Sequence, residues 1–255
     1  MTNPASSKGN GRLQGAVVAV AGAAGPAGRA VLVRLAEAGA TVAAADADAM
    51  RLADAVDAAR QIRSGATFTS DAVDLLDLEA TRFWAQRTEQ EFGRIDGLVH
   101  LVGGWRGSKT LAETELAHWD VLEKLLIRTV QHTSLAFQAP LCRSDRGRYI
   151  LVSAAAAAKP TAGNAAYAAA KAAAEAWTLA LADSFRVVGQ DSESPAAAVI
   201  LVVKALVHDA MRAERPQASF AGFTDVKDLA EAIVGVWNKP SPEVNATRLW
   251  LAPEP

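Results

Sequence analysis

Tyr167 and Lys171 are the two residues whose types and spacing could carry out proton transfer. They bound the segment Tyr-Ala-Ala-Ala-Lys, and a spacing of four places both side chains on one face of a helix, one turn apart. A free tyrosine has a pKa of about 10, and a nearby ammonium lowers that pKa because it favours the phenolate. The pair could therefore protonate a developing alkoxide or deprotonate an alcohol. The alternative at this spacing is a lysine that extends past a core tyrosine and has no chemical role.

A glycine-rich turn near the start of the chain could bind a phosphate. Three regularly spaced glycines follow the unbroken apolar run Ala16–Ala21 and precede an apolar helical pattern. Strand, tight turn and helix in this order are typical of a parallel α/β sheet that presents a helix N-terminus to a pyrophosphate. We therefore predict a dinucleotide site here; an ordinary glycine turn is the alternative. The loop residues expected to contact the cofactor are Gly22, Gly25, Pro26, Ala27 and Gly28.

Asp46 follows the second predicted strand, Thr41–Ala45. A carboxylate at the tip of this strand can accept hydrogen bonds from both hydroxyls of an adenosine ribose. The same charge repels a 2′-phosphate, and Ala47 supplies no guanidinium to offset it. The pattern therefore favours NAD over NADP. A solvated loop acid beside Asp48 is the alternative.

The elements that must position these residues alternate along the whole chain. The predicted strands are 16–21, 41–45, 67–73, 95–102, 148–152, 196–203 and 248–251. The predicted helical segments are 48–63, 78–92, 111–141 (as one helix or two), 165–186 and 225–237, besides the helix after the glycine turn. Strands that alternate with helices, without a linker between them, predict one doubly wound (Rossmann) α/β domain with a parallel sheet. We expect residues 1–14 to form a flexible leader and residues 15–255 to form the domain.

Composition excludes several functional classes. The formal net charge of −2 and the absence of a long basic run argue against nucleic acid as the main partner. The single cysteine, Cys142, cannot form an internal disulfide and suits a reducing compartment. No run approaches the roughly 20 apolar residues of a membrane span, and the four histidines lack partners at metal-ligand spacing. We expect a cytoplasmic protein with neither a membrane partner nor a metal site.

The order of these features resembles the short-chain dehydrogenase/reductase family from about Leu13 to Leu251. The matching segments are AGAAGPAG at the first turn, Asp46, Asp74-Leu75, FGRID before the fourth strand, and YAAAK. The resemblance implies a roughly seven-stranded parallel sheet, a nicotinamide cofactor and a homodimer or homotetramer. It also implies that Tyr167 is the catalytic acid/base and that Lys171 binds the nicotinamide ribose and tunes the tyrosine. Asp74 and Leu75 would then lie beside the adenine, and the Gly103 backbone would meet a ribose.

Two positions depart from the family pattern at the centre of its chemistry. Ala154 stands where the family has its catalytic serine, and Leu126 stands near the place of an asparagine that anchors a lysine–water relay. Ser153 is one position earlier, on the opposite face of a strand, so that a loop shift would be needed to bring it round; Thr161 could also substitute. Ser153 is therefore predicted as a catalytic residue together with Tyr167 and Lys171. The departures are similar to those of divergent, dihydropteridine-reductase-like members.

These observations predict an NAD(H)-dependent oxidoreductase that interconverts a small-molecule carbonyl and a secondary alcohol. The competing hypothesis is a catalytically impaired homologue that acts as a dinucleotide-binding or scaffold protein. The sequence does not distinguish the two, because the fold is common to both and function depends on the site.

Overall fold

A parallel β-sheet forms the centre of the molecule, and the computed structural model describes residues 12–188 and 195–253. The strands are β1 (Val17–Ala21), β2 (Thr41–Asp46), β3 (Phe68–Ala72), β4 (Gly97–His100), β5 (Arg148–Ala154), β6 (Ala197–Val203), β7 (Leu206–Val207), β8 (Thr224–Asp225) and β9 (Arg248–Trp250). Seven of them form one sheet in the order β3-β2-β1-β4-β5-β6-β9, and β7 pairs with β8. All pairs in the large sheet are parallel. The predicted fold class is confirmed.

Helices cover both faces of the sheet. They are α1 (Pro26–Glu37), α2 (Ala49–Ile62), α3 (Leu78–Phe92), α4 (Leu116–Leu122), α5 (Thr129–Arg143), α6 (Ala165–Val188), α7 (Asp209–Glu214), α8 (Val226–Gly235) and α9 (Ser241–Val244). One core lies between the sheet and α1, α2 and α8, and includes Leu32 and Ile233. A second core lies under α3, α5 and α6 and includes Trp84 and Phe137. Both faces of the sheet are therefore buried, which explains why its inner strands are continuous apolar runs.

The chain order reverses between β1 and β4, which are neighbours in the sheet. Open α/β sheets bind ligands in the crevice at the carboxyl ends of the strands at such a switch point. Asp96, in the FGRID segment, fixes the opposite end of this strand pair. Its buried carboxylate accepts hydrogen bonds from the Val17 N–H, Arg94 and Ser144. Burial alone would raise the pKa of Asp96, but these donors hold it below its usual value.

The helical segment predicted over 111–141 begins at Leu116 and is interrupted by a π-helical turn. Between α4 and α5 the segment Glu123–Arg128 forms a π-helical turn, and Leu126 lies within it. Such turns are frequent at functional sites. The short elements β7, α7 and β8 were not predicted, because segments of two to six residues show no usable hydrophobic period. None of the described helices is long and apolar enough to cross a bilayer.

The predicted leader, residues 1–14, lies mostly outside the described residues. Leu13 is described, however, and it is fully buried in the core beside α1. Its backbone N–H donates to the Ala38 carbonyl at 2.9 Å. The predicted boundary at residue 15 is therefore wrong for Leu13, because one leucine among polar neighbours gives no periodic signal although it packs in the core.

Candidate active site

The glycine turn between β1 and α1 uses its three glycines differently. Gly22 has a φ of +82°, and a Cβ there would lie 2.9 Å from the Val102 nitrogen. A Cβ on Gly28 would lie 2.4 Å from the Ala23 carbonyl oxygen, so that the turn itself requires glycine at both positions. A Cβ on Gly25 would find its nearest neighbour, the Gly22 oxygen, at 3.6 Å, which is ordinary contact. The space in front of Gly25 is therefore open to a ligand.

The N-terminus of α1 fits a phosphate. Gly25 is the N-cap and makes no side-chain cap hydrogen bond, Pro26 occupies the first turn, and that turn contains no acidic residue. The first N–H groups of a helix lack intrahelical partners; here the groups concerned belong to Ala27 and Gly28. Uncapped N–H groups and the positive end of the helix dipole stabilise an anion at this position.

Asp46 lies beside this turn, at the end of β2. Its Oδ2 accepts a hydrogen bond from the Ala24 N–H at 3.0 Å, and its Oδ1 accepts one from the Asp48 N–H at 3.2 Å. The side chain is partly exposed, so each oxygen keeps a lone pair that can face solvent or a ligand. Arg29 also lies against the turn, but its guanidinium is paired with Asp54 at 2.7 Å.

The other predicted cofactor residues follow the neighbouring strands. The Val73 N–H donates to the Asp46 carbonyl, which brings Asp74 and Leu75 to the same edge of the sheet. Asp74 is exposed, and its Oδ1 accepts from the Leu76 N–H at 2.9 Å. Gly103, beyond β4, is exposed as well, and a Cβ there would be no closer than 3.8 Å to Leu126. The predicted cofactor residues therefore converge on one edge.

Tyr167 and Lys171 lie in the first turns of α6. Tyr167 packs against Leu122, Leu126 and Ala170, and burial raises the pKa of Tyr167 to about 12. Lys171 donates from Nζ to the Val152 carbonyl at 2.9 Å. Burial lowers the pKa of Lys171 to about 8, although the charge of Glu175 acts in the opposite direction.

The expected lowering of the Tyr167 pKa by Lys171 is not found in this structure. Burial acts on the phenol without a compensating effect from the ammonium, because Lys171 is directed to the strand carbonyl of Val152. The helical spacing of four places both residues on one face, but it does not fix where the flexible lysine side chain ends.

Ser153 occupies a different place from the one predicted. Strand β5 continues through Ala154 instead of ending at residue 152, so the alternation of side chains persists and no bulge turns Ser153 round. The Ser153 hydroxyl is buried and donates to Glu175 Oε1 at 2.5 Å. This geometry argues against the predicted role of Ser153 as a catalytic hydroxyl, because its partner is the carboxylate of Glu175 on α6.

Thr161 does not supply the hydroxyl either. It is exposed and caps the turn Ala162–Asn164, in which its side chain accepts from a backbone N–H and Asn164 Oδ1 accepts from the Thr161 N–H at 2.7 Å. Ala154, at the family's serine position, is buried with 3% of its surface exposed. Neither Ser153 nor Thr161 therefore places a hydroxyl at the position of Ala154.

Two groups of functional interest were missed in the sequence. His100, at the end of β4, is buried; its Nε2 and Nδ1 lie 3.2 Å from the hydroxyls of Thr129 and Thr133, respectively. Burial, with a contribution from the Lys171 charge, lowers the pKa of His100 to about 3. Glu175 is buried one helical turn after Lys171. The sequence spacing of four between Lys171 and Glu175 could have indicated that the two side chains are neighbours. No pattern in the residues around His100 indicates its contacts with Thr129 and Thr133.

No three His, Cys, Asp or Glu side chains converge into a metal site within residues 12–188 and 195–253. The polar groups at this edge instead suit a dinucleotide: an uncapped helix N-terminus for the pyrophosphate, a carboxylate for ribose hydroxyls, and a Tyr–Lys pair farther along the edge. The carboxyl ends of β1, β4 and β5 are aligned, since Ala21 pairs with His100 and His100 with Leu151.

Comparisons with known proteins show the family and the fold of this chain. The family model of short chain dehydrogenases matches residues 16–189. A short chain dehydrogenase from Burkholderia cenocepacia J2315, solved in complex with NADP, is 26% identical, with a TM-score of 0.78 over 94% of this chain and 98% of that chain. A short chain oxidoreductase from Pseudomonas aeruginosa PAO1, bound to NADPH and described as containing an atypical catalytic center, is 25% identical. Its TM-score is 0.81 over 92% of this chain and 94% of that chain.

A xylitol dehydrogenase bound to NAD+ has the same fold at 18% identity, with a TM-score of 0.80 over 94% of this chain and 98% of that chain. No curated protein sequence matches this chain. The similar structures thus hold NAD+ in one case and NADP or NADPH in others.

Proposed function

Because the chain belongs to the short-chain dehydrogenase family, we propose that it is an NAD(H)-dependent oxidoreductase that interconverts a carbonyl and a secondary alcohol. The observation that carries this proposal is the convergence, on one edge of the sheet, of the uncapped α1 N-terminus, Asp46 and the Tyr167–Lys171 pair. The family and the fold support a dehydrogenase or reductase; the choice of cofactor and the roles of individual residues are our proposal.

The cofactor would be held by backbone and carboxylate groups of this edge. We propose that the N–H groups of Ala27 and Gly28 bind the pyrophosphate, and that Asp46 accepts hydrogen bonds from the adenosine ribose. NAD is favoured over NADP because the Asp46 charge opposes a 2′-phosphate, while the cation that lies against the turn, Arg29, is neutralised by Asp54. A bound nicotinamide supplies or receives the hydride.

Tyr167 moves the proton in this proposal. Its raised pKa keeps the phenol protonated at neutral pH, so Tyr167 is ready to donate a proton to a developing alkoxide during reduction. Lys171 has a pKa of about 8 and is mostly an ammonium at neutral pH. We propose that this ammonium, at the carboxyl end of β5, binds the nicotinamide ribose.

The site lacks one donor that carbonyl reduction normally uses. Ala154 has no hydroxyl with which to hold the carbonyl oxygen, and the loss of one preorganised donor commonly costs about 10²–10³ in rate. We therefore expect modest turnover. The same observation favours the second candidate function, a dinucleotide-binding or scaffold protein, and the experiment below separates the two.

The test is NADH oxidation with a broad panel of small carbonyl compounds, repeated with Tyr167→Phe. We expect measurable turnover that Tyr167→Phe abolishes while NADH binding is retained. Tyr149→Phe is the matched control, because Tyr149 is the other tyrosine of the chain and its hydroxyl contacts Thr133 in the core. NADH binding without reduction of any carbonyl, even after Ala154→Ser, would favour the binding protein.

We further propose a cytoplasmic homodimer or homotetramer that acts without nucleic acid or a membrane. The small residues of α6 and the exposed Leu135 and Trp177 on α5 and α6 support the assembly, because apolar surface of this kind is commonly buried against a second copy. The net charge of −2 supports the absence of a nucleic-acid partner, and the single cysteine supports a cytoplasmic location. The expectation that no membrane is involved agrees with the described helices, none of which could span a bilayer.

A further inference from the structure

Glu175 is a buried carboxylate whose two oxygens are both occupied. Oε1 accepts the Ser153 hydroxyl at 2.5 Å, and Oε2 accepts Arg248 Nε at 2.7 Å. Only 5% of Glu175 is exposed. The donors come from β5 and β9, so the carboxylate is fixed between α6 and the sheet. A buried carboxylate is costly unless it is paired and hydrogen-bonded, and these two contacts supply an ion pair and a hydrogen bond.

Lys171 is buried one turn earlier on the same helix and needs a countercharge. Its described hydrogen bond goes to the Val152 carbonyl, which carries no net charge. Side chains four residues apart on a helix are neighbours, with about 5–6 Å between their Cβ atoms. Glu175 is therefore close enough to act on the ammonium through space, and its charge opposes the effect of burial on Lys171.

The other titratable groups around Lys171 do not supply a negative charge. Tyr167, on α6, stays neutral because burial raises its pKa. His100, at the end of β4, is neutral because burial lowers its pKa. Arg248, from β9, is a cation held on Glu175. Glu175 is therefore the group whose negative charge acts on Lys171.

We propose that Glu175 is a positioning residue for Lys171: its carboxylate, fixed by Ser153 and Arg248, supplies the countercharge that keeps the buried ammonium protonated. The role of Lys171 in turnover rests on the proposed function, whereas the electrostatic coupling of the two side chains does not. Ser153 is thereby assigned to the support of Glu175.

The first measurement is the titration of the Lys171 Nζ by ¹⁵N NMR between pH 6 and pH 10, assigned with Lys171→Arg. In Glu175→Gln, which keeps the shape and loses the charge, we expect the Lys171 pKa to fall by about one unit or more. Glu89→Gln is the matched control, because Glu89 also pairs with an arginine of another element, Arg143. An unchanged Lys171 titration in Glu175→Gln would overturn the proposal whether or not the protein is an enzyme.

The second measurement is the pH profile of NADH-dependent turnover. In Glu175→Gln the decline on the alkaline side should begin about one unit lower, whereas a purely structural role would lower the rate equally at every pH. Ser153→Ala keeps the charge and should lower turnover less than about tenfold. A loss of about 10²–10³, the size expected for a catalytic donor, would overturn the assignment of Ser153.

A second variant keeps the proposal testable if Glu175→Gln does not fold. Glu175→Asp keeps the negative charge on the same face of α6 and shortens the side chain by one methylene. Because the countercharge is retained, the Lys171 pKa should stay within about half a unit of its value in the natural protein. A fall of about one unit or more in the folded Glu175→Asp variant would contradict the coupling. If Lys171 titrates as proposed and no carbonyl is reduced, the proposed function fails and the coupling stands.

Discussion

The backbone N–H of Ala24 donates to Asp46 Oδ2 at 3.0 Å. The carboxylate at the end of β2 therefore holds the turn that precedes α1, in addition to the role in ribose binding that we propose for it. The same carboxylate fixes the glycine turn and is our proposed ligand of the ribose, so one substitution tests both effects. Its neighbour Asp48 is the N-cap of α2 and accepts from the Arg51 N–H.

Asp46→Ala should narrow the difference in affinity between NADH and NADPH. The loss of a charge-assisted hydrogen bond to ribose typically costs about 1.5–3 kcal/mol, and removal of the negative charge eases the approach of a 2′-phosphate. The measurement is the Kd of each cofactor by fluorescence or calorimetry. Asp48→Ala is the control for a nearby lost carboxylate and should leave the ratio unchanged.

A companion variant, Asp54→Asn, releases Arg29 from its ion pair and should raise the affinity for NADPH more than that for NADH. Equal affinities for both cofactors in the natural protein would contradict the proposed preference for NAD.

Ala154→Ser should raise the rate of carbonyl reduction. It places a hydroxyl at the carboxyl end of β5, and a preorganised donor of this kind is worth up to about 10²–10³ in rate. The check is kcat with the best carbonyl substrate, with Ala155→Ser as a neighbouring control. An unchanged kcat in a folded Ala154→Ser variant would show that the site does not use a donor at this position.

The glycine turn and the place of Asp46 beside it could be predicted from the sequence because these features are local. The glycine spacing, Pro26 and the position of Asp46 after an apolar strand each depend on a few neighbouring residues. The partner of Ser153 could not be predicted in this way, since it depends on how far β5 continues and on which side of α6 faces it. The position of the Lys171 ammonium could not be predicted from the helical spacing either, because four rotatable bonds separate it from the helix backbone.

Leu135→Glu should weaken the assembly of the protein. Leu135 is 51% exposed on α5, and α5 contacts α6 through the hydrogen bond from Trp177 to Ser134. A charge in a surface buried between copies costs free energy because it loses its hydration. Light scattering at micromolar concentration should show a shift towards monomer. Phe83→Glu, which alters an exposed apolar residue on α3, is the matched control, and a natural protein that is already monomeric would contradict the prediction.

Acid should destabilise the fold in part through His100. The unfolded histidine binds a proton below a pH of about 6.5, whereas the native imidazole stays neutral down to a pH of about 3. The unfolded state therefore binds more protons in this window. The free energy of unfolding must then fall as the pH decreases, by at most about 1.4 kcal/mol per pH unit from this group.

His100→Asn removes this titration and should flatten the dependence of stability on pH between 6.5 and 4, although it lowers stability at neutral pH by weakening the contacts with Thr129 and Thr133. The measurement is urea unfolding at several pH values, and the quantity compared is the slope of the unfolding free energy against pH. His118→Asn, which makes the same exchange at a partly exposed histidine 3.7 Å from Glu115, is the control for the loss of an imidazole outside the core. The carboxylate of Asp96 contributes to acid sensitivity only at lower pH, because its native pKa lies below its usual value. Equal slopes for His100→Asn and the natural protein would mean that His100 gains its proton without unfolding.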